Sequence, residues 1–237
     1  MKKLVILMVA LLPLCAFAQK SYRAADVALA VGDGFSPALS YTHLYGVGSK
    51  GKFKIGWGIR LTSLFASDVR ARTAPASLTS GKQSLAALFS EDIVAQIDTF
   101  QLNKINTNAL NLSINLQYSI TPKLELGFNI DAIGVTFGGK QTGTFIAKQS
   151  DATGKSNNNK AFSAKPTTFN LLLVSDSDYG SLNSELYGCY WVSDKIGIRA
   201  GLSFQFAEYT TDKKLAFDND RFRSKLLLPM VAVSYKF

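Results

Sequence analysis

The sequence predicts an all-β protein, an eight-stranded antiparallel up-and-down transmembrane β-barrel. Three observations predict this fold. Several segments alternate strictly between apolar and polar residues, short and long connections between those segments also alternate, and the chain begins with a segment typical of an export signal. Together they favour a barrel whose outer wall faces lipid and whose interior is polar.

The N-terminal residues 1–18 have the features of a secretory signal peptide. A basic pair at positions 2–3 precedes an apolar run over residues 4–14, and residues 16–18 (Ala-Phe-Ala) supply the small residues of a cleavage site. The apolar run is shorter than the roughly 20 residues that a membrane-spanning helix needs. We therefore expect this segment to be removed after export.

Cleavage leaves residues 19–237 as one mature outer-membrane β-barrel domain. This domain carries 24 basic and 17 acidic residues. A basic charge often indicates nucleic-acid binding, but an exported chain meets no nucleic acid, so we expect no such partner. Only Cys189 remains after cleavage, which excludes an internal disulfide. Cys15 allows lipoprotein processing as an alternative, although Leu14 is larger than the small residue that this processing requires before its cysteine.

Strict alternation is the clearest sign of strands with two different faces. In the segment from Leu110 to Ile120, every second residue is large and apolar, and the residues between are Asn, Ser and Gln. A long apolar face opposite a polar one is what a wall between lipid and a narrow interior requires. The same pattern occurs over Phe53–Thr62, Leu124–Asp131 and Ile196–Phe206.

The connections give the number of strands. Outer-membrane barrels place tight turns on the periplasmic side and long loops outside. Counting back from a periplasmic C-terminus gives eight strands, with both termini in the periplasm. Thr167–Val174 also has strand character, and we interpret it as an extension of a long loop. The short connections are Gly32–Pro37, Gly46–Lys52, Thr121–Lys123 and Ser193–Lys195, and the long ones are about Ser67–Asn108, Gly138–Gly180 and Thr210–Arg223.

The last strand has an apolar face that ends in a terminal aromatic residue. Its members are Val231, Val233, Tyr235 and Phe237, the last residue of the chain. In this feature the chain resembles bacterial outer-membrane β-barrel proteins, close to the small eight-stranded OmpA/OmpX-like barrels. The resemblance implies that these four residues form the signal read by the barrel-assembly machinery. It implies fold and location in the cell outer membrane, and it implies little about function.

Charged residues on the polar strand faces are predicted to share the barrel interior. An eight-stranded barrel is just wide enough for side chains to fill it, and buried charges destabilise a protein unless they are paired. We therefore expect a network of ion pairs that plugs the lumen. The alternative is a narrow, gated polar path. The network comprises Lys54, Arg60, Glu125, Asp131, Glu185 and Arg199, with Asp26 in the same lumen.

The long connection at about Gly138–Gly180 carries a cluster of lysines. Because these residues lie at the predicted outer surface, they suit the phosphates of lipopolysaccharide or an acidic partner. The alternative is a solvated loop without a ligand. The polar run over residues 156–159 predicts a mobile tip. The basic patch consists of Lys140, Lys148, Lys155, Lys160 and Lys165.

Few residues suit catalysis, cofactor binding or metal binding. His43 is the only histidine, and it lies on the predicted lipid-facing side of its strand. Gly46–Gly51 matches the dinucleotide pattern G-x-G-x-x-G, but an alternating strand follows where a helix is needed. One histidine and one remaining cysteine leave only carboxylates as metal ligands. We expect no catalytic residues, no cofactor and no metal site.

We expect a non-enzymatic protein with a structural role in the envelope or a surface-interaction role through its long loops. The alternative is a porin-like channel or a transporter for small or hydrophobic molecules, with residues 138–180 and a short helix at the mouth. A barrel enzyme acting on lipid through His43 and a subunit of a larger envelope complex are further alternatives. The helix is predicted from the spacing of Leu85, Leu88, Phe89, Ile93 and Ile97.

Overall fold

The structure is a computed structural model that describes residues 21–81, 91–173 and 177–237. The predicted signal peptide therefore lies outside the described residues. The described residues form β1 (Ser21–Val31), β2 (Phe35–Val47), β3 (Phe53–Thr73), β4 (Thr99–Ser119), β5 (Leu124–Phe137), β6 (Gln141–Ile146), β7 (Ala161–Pro166), β8 (Phe169–Leu171), β9 (Asn183–Trp191), β10 (Ile196–Thr211) and β11 (Arg221–Lys236).

Eight of these strands form a closed antiparallel ring in the order β1-β2-β3-β4-β5-β9-β10-β11. The ring closes between β11 and β1, with pairs that run from Ala24 opposite Lys236 to Ala30 opposite Met230. Neighbours in the ring follow one another along the chain, apart from β6 to β8, which lie between β5 and β9. The predicted eight-stranded up-and-down barrel is confirmed.

The two faces of the ring differ as the alternation predicts. Successive side chains of a strand point to opposite faces, so the apolar set of each strand lies on the outer wall and the polar set lies inside. A contiguous exposed apolar surface of this extent is uncommon on a soluble monomer and indicates contact with lipid or a partner. The outer wall includes Val27, Leu39, Trp57, Ile114, Leu126, Ile198, Leu227 and Val231, and the inner wall includes Arg60, Asn111, Asn115, Gln117 and Asp131.

Three tight turns lie at the same end of the barrel as the first and last described strand ends. They connect β2 to β3, β4 to β5 and β9 to β10. In the first of them, Gly48 and Gly51 have φ of 77° and 55°, a left-handed conformation that glycine adopts without steric cost. The dinucleotide-like pattern over Gly46–Gly51 is therefore a hairpin turn.

Short helices occur at Ala76–Thr79 and Ala152–Asn157, with a 3₁₀ helix at Val94–Gln96. In the part of the chain that the structure describes, no helix combines the length and apolar character needed to cross a membrane. Of the residues that predict a helix at the mouth, Leu85, Leu88 and Phe89 lie outside the described residues.

Two connections predicted as long loops contain paired strands, and the prediction of loop is wrong for those residues. Strands β3 and β4 continue as a paired hairpin from Phe53 opposite Tyr118 to Arg72 opposite Thr99. The connection between β5 and β9 contains the β6–β7 hairpin and β8. The run at 156–159, predicted as a mobile tip, joins the end of the helix Ala152–Asn157 to β7. At Thr167–Val174, β8 pairs with β5 between Ile133 and Val135, and Val174 lies outside the described residues.

The extended strands close into a second ring of six. Above the eight-stranded ring, β3 pairs with β4, β4 with β6, β6 with β7, β7 with β10, β10 with β11, and β11 with β3. The hairpin β1–β2 and strands β5 and β9 do not reach this level. We call this six-stranded ring the head. It comprises β6, β7 and the segments Val69–Thr73, Thr99–Leu102, Tyr209–Thr211 and Arg221–Arg223.

The phase of alternation reverses at the passage from barrel to head. Ser67 pairs with Lys104 and Val69 with Leu102 in one unchanged register, while Asp68, which has a φ of 52°, and Asn103 opposite it are not paired in the ladder. Below this point Leu64 is buried inside the ring, and above it Val69 and Ala71 are.

The head has an apolar core, unlike the barrel below it. Phe100 lies 5.3 Å from Phe222 between ring centroids, and Phe145 lies 6.1 Å from Phe222. A Cβ atom on Gly143 would lie 2.6 Å from the ring of Phe100, so only glycine fits there. The head is therefore packed like the interior of a soluble protein. Its fully buried members include Ala71, Leu102, Ala164, Tyr209 and Leu215.

Candidate functional site

The barrel lumen contains a chain of five buried charged side chains. Asp131 accepts from Arg60, with Oδ1 2.5 Å from Nη2. Glu185 lies between two arginines, with Oε2 3.2 Å from Nη1 of Arg60 and 3.0 Å from Nη2 of Arg199. Arg199 in turn contacts Asp26, 3.0 Å from Nη1 to Oδ2. The chain therefore alternates in sign across the lumen and joins five strands of the ring.

Amide side chains add further hydrogen bonds to this chain. Asn129 accepts from Arg60 at 2.6 Å and donates to Glu185 at 2.8 Å. Asn111 donates to Asp131 at 2.7 Å, and the backbone N–H of Asn183 donates to the same carboxylate at 2.9 Å. Buried ions destabilise a protein unless such partners satisfy their lone pairs and protons. These amides occupy the polar strand faces that the alternation placed inside.

A second cluster lies near the tight-turn end of the lumen. Glu125 pairs with Lys54 and accepts from Gln117, from Ser119 at 2.9 Å and from Nε1 of Trp191 at 2.7 Å. The ring of Tyr22 lies beneath Lys54 and packs edge-on against Trp191. The six charges predicted for the lumen thus separate into two groups, with Lys54 and Glu125 apart from the other four.

The space left inside the barrel is small. One cavity of about 20 Å³ is bordered by Thr62, Asn111, Asp131 and Gln205, and another of about 10 Å³ by Tyr22, Asp26 and Arg199. A cavity of 10–15 Å³ holds about one water molecule. These two spaces therefore hold isolated waters at most, and the ion pairs fill the cross-section between them.

The other candidate residues do not assemble into a catalytic group in the described ranges. His43 lies on the outer wall, stacked on Tyr45 at 4.5 Å between centroids and 5.9 Å from Trp57. Cys189 is buried in the lumen. Among residues 21–81, 91–173 and 177–237, no group of three His, Cys, Asp or Glu side chains is placed to hold a metal ion.

The last strand displays its predicted assembly face on the outer wall. Val231, Val233, Tyr235 and Phe237 are all exposed, and Tyr235 packs edge-on against Phe237 at 5.4 Å. The N–H of Phe237 donates to the carbonyl of Arg23. The face that the resemblance assigns to assembly therefore lies at the seam where β11 meets β1.

The five predicted lysines lie at the two ends of the β6–β7 hairpin. Lys140 and Lys165 are at its base, since Gln141 pairs with Ala164. Lys140 also contacts Asp212 at 3.1 Å. Lys148, Lys155 and Lys160 lie at its far end. Because β6 spans six residues at about 3.3 Å each, the two groups are separated by roughly 15–20 Å. All five are exposed, in two patches where one was predicted.

Sequence reasoning missed a third charged cluster, which lies on the outer wall of the head. Glu208 is fully buried and contacts Arg221 at 2.8 Å and Arg223 at 2.7 Å. Both guanidinium groups also donate to the backbone carbonyl of Asp178, and Arg221 lies over the ring of Tyr179 at 3.8 Å. The segment Ser177–Leu182, which we call the strap, thus covers an ionic cluster on the outside of β10 and β11.

No protein-family model and no curated protein matches this chain. Among solved structures, it is similar to Neisserial surface protein A, with a TM-score of 0.38, 9% identity, and coverage of 92% of this chain and 96% of that one. A major outer membrane protein from Thermus thermophilus gives a TM-score of 0.38 and 12% identity over 92% and 100% of the two chains. The attachment invasion locus protein Ail of Yersinia pestis gives 0.36 and 9% over 92% and 97%.

The architecture follows from the ring itself. Eight antiparallel strands close upon themselves, large apolar side chains cover the outer wall and ion pairs fill the interior. This is the arrangement of strands and surfaces that a bilayer requires of a spanning sheet, because closure leaves no unpaired edge. The chain therefore has the fold of the small eight-stranded outer-membrane β-barrels.

Proposed function

We propose that this protein is an integral, non-enzymatic protein of the cell outer membrane that does not conduct ions and acts through its head. Both termini and the three tight turns face the periplasm, and the head faces the outside. Its role is an interaction at the cell surface or structural support of the envelope. The barrel anchors and orients the head.

The observation that carries this proposal is a folded head on a plugged barrel. Long mobile loops over an open lumen would suit passage of solutes. Here, by contrast, Phe100, Phe145 and Phe222 hold six strands in a fixed ring. Below them, the two arginines Arg60 and Arg199 cross-link five strands of the barrel. A rigid body that projects from the surface suits recognition, because little ordering entropy is lost on binding.

The lysine positions support two kinds of surface contact. Lys140 and Lys165, at the base of the head, lie nearest the proposed membrane surface and suit phosphates of lipopolysaccharide. Lys148, Lys155 and Lys160, at the far end, suit an acidic partner further out. Each cation near an anionic surface contributes about 1 kcal/mol. Protein partners in the envelope and the barrel-assembly machinery during biogenesis belong to this proposal as well.

A paired comparison of variants tests the proposal. Planar-bilayer recordings of the wild-type protein are expected to show no steady conductance. In cells that lack the protein, detergent resistance is expected to be restored by the wild type and by the lumen variant Lys54→Gln. It is not expected to be restored by Phe100→Ala/Phe145→Ala, which removes the head core. Heat-modifiability on a gel shows that each barrel is folded.

The opposite pattern would overturn the proposal. Transport is the function if the wild type shows a steady conductance, the lumen variant fails to restore detergent resistance and the head variant restores it. Catalysis is the function if restored detergent resistance requires both His43 and turnover of lipid by the protein.

A second candidate function is transport of a small hydrophobic compound, and one feature favours it. A side pocket of about 250 Å³ opens in the barrel wall. Leu182, Asn183 and Phe206 border both this pocket and the lumen cavity of about 20 Å³. Passage would require these three residues to move. This transport is measured as uptake of a hydrophobic dye by proteoliposomes, compared between the wild type and Leu182→Gly.

A further inference from the structure

The side pocket arises because three neighbouring strands have different lengths. Strand β9 begins only at Asn183, whereas β5 continues to Phe137 and β10 to Thr211. Strand β8 extends the wall beside β5 but does not pair with β10. A gap of about 250 Å³ is therefore left in the wall above the start of β9.

The side chains that line this gap are mostly apolar. Ile130 and Ser184 are cross-strand partners and form its floor. Leu172 lies on the β5 side, while Phe204 and Phe206 lie on the β10 side. Phe204 and Phe206 are in edge-on contact at 5.0 Å between centroids. An apolar cavity of about 150 Å³ is enough to bind benzene, so this pocket has room for a hydrocarbon segment.

The strap builds the upper side of the pocket. Asp178 and Leu182 of the strap line it, and Tyr179 bridges to Leu171 of β8. The carbonyl of Asp178 accepts from Arg221 and Arg223, which Glu208 holds in place. The buried ionic cluster on the outer wall therefore fixes the strap and, with it, the shape of the pocket.

The pocket is continuous with the outer apolar wall. Phe204 is exposed on the same face as Leu202, two residues below it on β10, and Leu186 is exposed two residues below Ser184 on β9. In the proposed membrane orientation, the pocket therefore opens toward the acyl chains of the outer leaflet. A molecule that enters it from the side comes from the bilayer.

A cation lies beside the pocket at the same height. Lys225 is the cross-strand partner of Phe206, and its Nζ lies 5.4 Å from the centre of the Phe206 ring. Lys225 is exposed. The ring of Phe206 thus separates an apolar space from a positive charge. This arrangement complements an amphiphile that has a hydrocarbon chain and an anionic head.

We propose that the wall pocket binds one acyl chain of an anionic lipid of the outer leaflet, with the headgroup beside Lys225. The inference rests on the proposed insertion in the outer membrane. The lipid fills the gap between β8 and β10 and completes the barrel wall where β9 is missing.

Native mass spectrometry of protein released from nanodiscs tests this site. The nanodiscs contain equimolar phosphatidylglycerol and phosphatidylcholine. The wild type is expected to retain one phosphatidylglycerol. Ser184→Phe fills the pocket from its floor and is expected to lose this lipid. Leu186→Phe, two residues along the same face, is the matched control and is expected to retain it.

The charge is tested separately from the pocket. Lys225→Gln is expected to retain a lipid but to lower the preference for phosphatidylglycerol about fivefold, since one cation near a surface contributes about 1 kcal/mol. An unchanged preference in this variant contradicts the placement of the headgroup.

The proposal is overturned if Ser184→Phe retains the same lipid as the wild type. It is also overturned if the wild type emerges folded without lipid, or binds only a free small hydrocarbon added to the sample. Failure of the proposed function is a different result, because the protein would then not insert into nanodiscs and would show no heat-modifiability.

Discussion

Arg60 and Asp131 form an ion pair in the lumen, with Nη2 2.5 Å from Oδ1, although their strands β3 and β5 are separated in the wall by β4. Their side chains are 2% and 1% exposed. The pair therefore joins two non-adjacent strands of the ring through its interior. Asn111 of β4, between the two strands, donates to the same carboxylate.

Loss of one partner of this pair is expected to destabilise the barrel. Arg60→Met leaves the carboxylate of Asp131 buried with only amide and backbone N–H donors, and removal of one buried partner costs about 3–5 kcal/mol. Urea unfolding of the reconstituted protein measures the change. The double variant Arg60→Met/Asp131→Asn is expected to recover part of the loss, because no unpaired charge then remains.

The exposed pair Lys214–Asp218 provides the matched control. Asp218→Asn is expected to leave the unfolding midpoint unchanged, since exposed ion pairs contribute little. Equal effects of Arg60→Met and Asp218→Asn would show that the lumen pair is hydrated and does not hold the ring together.

The head is expected to unfold locally when its aromatic core is truncated. Phe100→Ala removes the ring that contacts Phe222 and Gly143, and such changes cost about 3–5 kcal/mol. Hydrogen exchange of β6 and β7 is expected to accelerate strongly, while Leu110–Tyr118 in the barrel stays protected. Gln101→Ala, on the outer face of the same strand, serves as the control. Fast exchange of β6 and β7 already in the wild type would argue against a folded head.

Stability of the head is expected to fall at high pH. Burial raises the pKa of Tyr209, and a backbone N–H donated by Asn106 lowers it only in part. The pKa rises from about 10 in an unfolded chain to about 12 in the folded protein. The folded state therefore holds this proton more tightly than the unfolded state. The stabilisation is fully present below pH 10 and decreases as the pH rises from 10 to 12.

Hydrogen exchange of the head strands between pH 9 and pH 11, corrected for the intrinsic rate, measures this effect. In Tyr209→Phe, the loss of unfolding free energy of the head over this pH range is expected to be smaller, by on the order of 2 kcal/mol at most. A Tyr209→Phe variant with the wild-type pH profile would show that another group titrates.

The terminal aromatic residue is expected to affect assembly more than stability. Phe237 is 69% exposed and contacts Tyr235, so Phe237→Ala removes little packing. In cells, the heat-modifiable fraction in the outer membrane is expected to decrease, whereas refolding of the purified chain in detergent is unchanged. Val192→Ala, another exposed apolar residue at the turn end, is the control. Equal effects of both variants in cells would argue against an assembly signal.

The barrel was predictable because one physical pattern determines it. Lipid on one side and a narrow polar lumen on the other require period-2 alternation in every strand, and Leu110–Ile120 shows it without interruption. The same alternation predicted that these charges lie in the lumen. It did not predict which charges pair, because Arg60 and Asp131 lie on strands whose relative heights cannot be read from the sequence.

The head was not predictable from the same pattern. In the head the pattern inverts, with apolar side chains such as Phe100 inside and polar ones such as Gln101 outside, and the phase of alternation reverses at Asp68 within β3. Strands β6 and β7 are only six residues long, and their partners on β4 and β10 are distant in sequence. The cluster of Glu208 with two arginines lies on an outward face, and only the strap buries it.

The proposed orientation of the head is tested most directly by labelling of intact cells with a membrane-impermeant maleimide. Cys189 is buried, so the folded wild type is expected to remain unlabelled. Lys155→Cys, at the far end of the head, is expected to react on intact cells. Asp194→Cys, in a tight turn, is expected to react only after the outer membrane is permeabilised. Labelling of Asp194→Cys but not of Lys155→Cys on intact cells would contradict the account.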